Sequence, residues 1–143
     1  MSLLRIWARS WTLLDAEVLD VAKDDPAGQA RWEAFALLVS FIAWGHIIAT
    51  VRGNIAVVGD AQGVLHAYVK FKANDAKINE IMMELAVRIA PLGRDLGTFH
   101  LYSEMNAEAD QLSRLSEGAQ LPPRLTKVRR SQVSLGQWLF LGR

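Results

Sequence analysis

Apolar positions along this chain fall into blocks whose spacing changes from helical to extended and back. Ile78, Ile81, Met82, Leu85 and Ile89 recur at steps of three and four, which predicts an amphipathic helix. Asn74 or Asp75 caps it, and Pro91 and Gly93 end it. From about Ala27 to Trp44 both faces are apolar, so a buried helix is expected there. The turn KDDPAG opens it, with Asp24 or Asp25 as cap and Pro26 in the first position. Ile55 to Val58, closed by Gly59 and Asp60, reads as a central strand delivering a polar residue at its end. Gln62 to Phe71 predicts a short helix, Thr98 to Tyr102 a second strand, and Asn106 to Leu115 a helix packing Ala109, Leu112 and Leu115. Met1 to Ala22 carries a weaker pattern, an edge strand running into a short helix. The order helix, strand, helix, helix, strand, helix predicts an α/β sheet domain over residues 1–117. After Gly118, Pro122 and Pro123 precede Arg124, Lys127, Arg129 and Arg130, a pattern that suits a basic linker or tail.

One block admits a second reading. Ala34 to Val51 holds eighteen residues without a charge, the length of a minimal transmembrane helix. Ser40, Gly45, His46 and Thr50 interrupt it, and Gly45 is a plausible helix end. A buried helix followed by an extended segment explains the same letters, and that reading is preferred to a membrane span. Arg5 and Arg9 break the only short apolar stretch at the amino terminus, which argues against a signal peptide.

Composition narrows the chemistry. The 143 residues are 51% hydrophobic and 22% charged, a globular balance for one domain. The net charge of +1 supplies no overall basic field, so any nucleic-acid contact must come from a local patch. There is no Cys, which excludes disulfides and thiolate metal sites and fits an intracellular chain, cytoplasmic or nuclear. Carboxylates and the three His remain as ligands, and oxygen ligands favour hard cations such as Mg²⁺.

Three acids stand in apolar company: Glu33 in WEAFALLV, Asp60 in IAVVGD, and Asp110 in NAEADQLSRL. A buried carboxylate is costly unless paired, protonated or bound to metal. Converging at one sheet edge, the three could hold Mg²⁺ for phosphodiester hydrolysis. Each also has an ordinary reading. Glu33 can face the helix dipole, Asp60 can cap the next helix, and Asp110 can pair with Arg114 four residues on.

The segment His100 to Leu115, HLYSEMNAEADQLSRL, resembles the final strand and helix of ribonuclease H domains in retroelement (retrotransposon) reverse transcriptases. Asn106, Ala109-Asp110 and Leu112-Ser113-Arg114 fall in register with that family's pattern. QARWEAFALLVSFIAW is similar to its helix bearing the second catalytic acid, and IAVVGDAQGVLHA to the strand and turn bearing the third. KINEIMMELAVRIA is similar to the amphipathic helix that follows. The resemblance spans about Gln29 to Leu115. It implies a ribonuclease H-like mixed sheet flanked by helices and a nuclease that cuts the RNA strand of RNA–DNA hybrids. It further implies that Glu33, Asp60 and Asp110 bind Mg²⁺ or Mn²⁺, with His100 as an additional catalytic candidate. His46 and His66 have no motif context and read as structural.

The departures are as informative. Position 61 is Ala where the family has Asn. The first acid belongs on a first strand, followed by two more before the Glu33 helix, and too few residues precede Glu33 to hold all three. The expectation is a domain lacking its first strand and inactive in cleavage. The alternative is a non-catalytic ribonuclease H-like module that binds nucleic acid or serves as a scaffold. An incomplete sheet leaves an edge open to self-association. Part of Leu3 to Leu14 is therefore expected to pair into that sheet, in the vacated place or as the surviving third strand, with Trp7 and Trp11 over the Glu33 helix; the alternative is a helix that carries the same two Trp on one stripe.

Overall fold

The structure, a computed structural model, describes residues 5–6, 12–22, 28–50, 53–59, 62–92, 96–100, 107–115, 118–131, 133, 135 and 138–141. Two residues, Arg5–Ile6, form β1, and Leu13–Leu19 form α1. A capping box starts α1. The Asp15 N–H donates to Thr12 Oγ1 at 3.1 Å, and the Thr12 N–H donates to Asp15 Oδ2 at 2.8 Å. Such a cap is worth about 1 kcal/mol and satisfies donors that an extended chain would offer to a sheet. Asp20 ends α1 in the left-handed region, φ 54°.

The long apolar block becomes α2, Gln29–Ile48, twenty residues with Gly28 as its cap. Gly28 packs so closely on Val21 that an added Cβ would lie 2.8 Å from Val21 Cγ1. Asp24, Asp25 and Pro26, expected to start this helix, lie outside the described residues. The helix passes through Gly45 and gains a turn beyond Trp44, because Ile48 still finds apolar neighbours. By length and composition α2 could cross a membrane. Here its Trp32, Phe35, Leu38, Val39 and Phe41 are buried in the protein's own core.

Ile55–Gly59 is β2 and pairs in parallel with Leu96–His100, β3, from Ile55 opposite Leu96 to Gly59 opposite His100. Between them run α3, Gln62–Lys70, and α4, Ala76–Ile89, with Asp75 capping α4 through the Ile78 N–H. The 3₁₀ turn Ala90–Leu92 follows α4. Ala107–Ser113 is α5, Pro123–Leu125 a second 3₁₀ turn, and Arg129–Arg130 is β4.

The expected ribonuclease H-like mixed sheet is absent among the described residues. The chain is mostly helical, and its strands make two separate two-stranded parallel ladders, β1 with β4 and β2 with β3. The amino-terminal expectation is corrected at the same point. Arg5–Ile6 is extended, but it pairs with Arg129–Arg130 and not with Ile55–Gly59. Leu13 and Leu14 belong to α1, whose capping box commits the segment to helix. Trp7 and Trp11 lie outside the described residues. The helix–strand–helix–helix–strand–helix order from Gln29 to Ser113 follows the pattern in the sequence, but two strands do not make the expected sheet.

The core gathers α1, α2, α3 and α4 around Leu19, Phe35, Leu38, Tyr68, Ile81 and Leu85. Part of the stretch after Gly118 belongs to it too, since Leu141 is buried within it and Val133, Leu135 and Trp138 pack against it. Tyr68 is fully buried, its ring stacked near Phe41 at 6.1 Å and edge-on to Phe71 at 5.8 Å. Its hydroxyl has no hydrogen-bond partner among the described residues, and burial pushes its pKa up from 10.0 to about 12. Tyr68→Phe removes an unsatisfied group while keeping the ring, so it should leave stability unchanged or raise it by about 1 kcal/mol. The raised pKa sets a direction as well. The folded state keeps the phenol protonated where the unfolded chain has lost the proton. Wild-type stability is therefore intact below about pH 10 and declines by about 2–3 kcal/mol as pH rises towards 12. Urea melts at pH 8 and pH 11 check this: Tyr68→Phe should lose less stability than wild type between the two.

Candidate functional site

Residues of α2 from Glu33 to Ile48 and the strand β2 line an open cleft of about 450 Å³, which Val64 and Leu65 of α3 and Ala109 of α5 also border. Its walls are mainly apolar, including Leu37, Phe41, Trp44 and Val57. Glu33, Gly59 and Ala109 also border it. The cleft lies between α2 and β2, with Glu33 on its helical side and Gly59 at the end of the strand, and α5 follows β3, the parallel neighbour of β2, in sequence. Glu33 is partly buried, and the Gln29 side-chain amide donates to its Oε1 at 3.1 Å, one helical turn earlier.

The other acids fare differently. Asp60 lies outside the described residues; it follows Gly59 in sequence. Asp110 follows Ala109 but is not semi-buried as the sequence suggested. Its side chain is 57% exposed and forms an ion pair with Arg114 at 3.3 Å. That is the ordinary helical i, i+4 arrangement, which costs no desolvation and competes with any cation. The His100 backbone stands opposite Gly59 across the ladder, and its side chain is not among those described. His46 and His66 are exposed on α2 and α3.

Among the described residues no group of three His, Asp or Glu side chains is placed to hold a metal ion. Of the three acids, Glu33 and Asp110 are described, and the Arg114 ion pair occupies Asp110, so these two alone supply fewer oxygens than Mg²⁺ or Mn²⁺ takes. Beside α5, Arg124 forms a two-pronged bridge to Glu108, with contacts of 2.7 to 3.2 Å. Hydrogen bonding from Arg124 holds the Glu108 carboxyl below its ordinary value. This bridge ties the second 3₁₀ turn to α5.

The buried acids are ones the sequence reading passed over. Glu84 is 1% exposed and Asp15 is 6% exposed. Asp15 belongs to a Thr-x-x-Asp capping box, legible in the sequence as TLLD. Glu84 lies three residues after Ile81 and one before Leu85, on the packed side of α4. A carboxylate on an apolar stripe was the available signal.

No protein-family model, no curated protein and no solved structure matches this chain.

Proposed function

We propose that the chain is a nucleic-acid-binding module of nuclease descent, drawn from a retroelement and silent in cleavage. The observation that supports this reading best is the shared cavity bordered by Glu33, Gly59 and Ala109. Each of these borders or is a residue that the resemblance marks as acidic machinery for RNA–DNA hybrids. The reading rests on those local segments and not on a ribonuclease H-like sheet, which the chain does not form. Among the described residues the acidic donors are Glu33 and Asp110, and Asp110 is held by Arg114, so this pair alone leaves a divalent cation short of ligands. Losing a metal charge removes several kcal/mol of transition-state stabilisation, and each 1.4 kcal/mol is tenfold in rate. Lys127, just before β4, and Arg129, within it, are exposed and offer cationic groups to phosphates.

The test uses the full chain with a labelled RNA–DNA hybrid. Binding should fall steeply as salt rises, since phosphate contacts release counterions. With Mg²⁺ or Mn²⁺ present, no more than trace cleavage is expected. Robust cleavage abolished by Asp110→Asn would show an active enzyme. Absence of hybrid binding at low salt would remove the reading altogether.

A further inference from the structure

The most unusual buried group in the molecule is Glu84, on a helix face otherwise given to Ile81, Met82, Leu85 and Ile89. A carboxylate in such a place must find donors, because each unsatisfied charge in the interior is expensive. Its donors come from fifty-six and fifty-seven residues away. The main-chain N–H groups of Phe140 and Leu141 both point at Glu84 Oε1, the second at 3.0 Å. Beside them Trp138 sets its ring edge-on to Phe35 of α2, centroids 5.8 Å apart. Leu141 is 1% exposed and joins the core. Further back, the Trp44 indole N–H donates to Ser131 Oγ at 3.0 Å, so the stretch is also tied to α2 upstream.

These contacts have the grammar of peptide recognition. An aromatic side chain sits on an aromatic, a leucine fills a hole three residues later, and one acceptor reads two consecutive main-chain amides. Trp138, Phe140 and Leu141 lie in no helix or ladder, so α2 and α4 hold them by these contacts. We propose that the groove between α2 and α4 is a peptide-docking site which the chain fills with its own residues 138–141, and that Glu84 is the residue that reads the incoming main chain. The occupant is a bent segment with Trp followed at the third position by Leu, whose last two N–H groups turn towards the same acceptor. The seat stands without its ligand, and the ligand is exchangeable. The inference is independent of any nucleic-acid role.

The experiment weakens the resident segment and offers a replacement. In the full chain carrying Trp138→Ala, the segment loses its ring contact with Phe35. A fluorescently labelled peptide with the sequence of residues 135–143, LGQWLFLGR, is then titrated and followed by anisotropy. It should bind Trp138→Ala at least tenfold more tightly than wild type, whose own segment competes at high effective concentration. Adding Glu84→Ala to Trp138→Ala should weaken the peptide at least tenfold. Adding Glu84→Gln instead, which keeps an acceptor oxygen, should retain most of the binding. Equal binding with and without Glu84, or binding to none of the variants, overturns the proposal. Loss of the helical circular dichroism signal in any variant overturns it as well, because the seat would then depend on its occupant.

Discussion

Phe35→Ala should destabilise the protein by about 3–5 kcal/mol, the usual cost of emptying a large aromatic site from a packed core. Phe35 is 1% exposed and lies in the middle of the α2 face that meets the other helices. It is also the ring against which Trp138 rests, so truncation opens a hole on two sides. Relaxation is hindered because Leu38 and Val39, its neighbours on α2, are themselves fully buried and held by their own contacts. For a domain whose total stability is of order 5–15 kcal/mol, such a loss is a large part of the whole. Urea denaturation followed by Trp fluorescence should show the midpoint falling sharply. A loss below about 1 kcal/mol would mean that α2 does not pack where it is described. A helix taken up by a lipid bilayer would give that result, since its apolar face would have another solvent.

The helices were readable in the sequence where periodicity and capping agree. Ile78, Ile81, Met82, Leu85 and Ile89 line up on α4, and the Asp75 cap sits one residue before its start. The strand Ile55–Gly59 was readable for a different reason, a short apolar run closed by a turn signal. What the sequence concealed was partner choice. Arg5–Ile6 is extended as the pattern suggested, but nothing in its letters says that Arg129–Arg130 will be its neighbour. Pairing of distant segments is decided by which ones the helices leave uncovered, and spacing along the chain carries no record of that. The site divides in the same way. Glu33 and Gly59 border one cleft, while Asp60, the acid expected beside them, lies outside the described residues. The burial of Asp110 was overestimated because Ala109 and Leu112 beside it look like core positions, whereas Ala109 and Asp110 are both exposed on a short helix. Glu84 went unnoticed because its donors are main-chain amides, and every residue but proline has one.

Arg31→Ala is expected to cost about 2–3 kcal/mol, more than its place near the surface suggests, because one guanidinium joins three elements. Its Nε lies 3.2 Å from both carboxyl oxygens of Asp75, and its Nη2 lies 3.0 Å from Oδ2. Its Nη1 donates to the main-chain oxygens of Leu19 at 3.0 Å and Asp20 at 2.8 Å. Those two carbonyls are the end of α1, where helical partners run out. Asp75 is the cap of α4, so the same side chain fastens the start of one helix to the finish of another. Arg31→Lys should recover less than half of the loss, since a single ammonium cannot span the carboxylate fork and both carbonyls. Asp75→Asn separates the contributions. It can keep the cap to the Ile78 N–H but gives up the ion pair, and should cost about 1 kcal/mol. Acid supplies an independent check. Burial raises the Asp75 carboxyl, but hydrogen bonds from Arg31 and Ile78 and the charge of Arg31 outweigh it and hold the group below its ordinary 3.8. Its contribution is thus present at neutral pH, above the unfolded value, and is lost as pH falls through the lower folded value. The stability gap between wild type and Arg31→Ala should hold steady from pH 7 to pH 5 and narrow below about pH 4. A gap that stayed constant down to pH 2 would show that the carbonyl contacts alone matter and that the Asp75 pair contributes nothing.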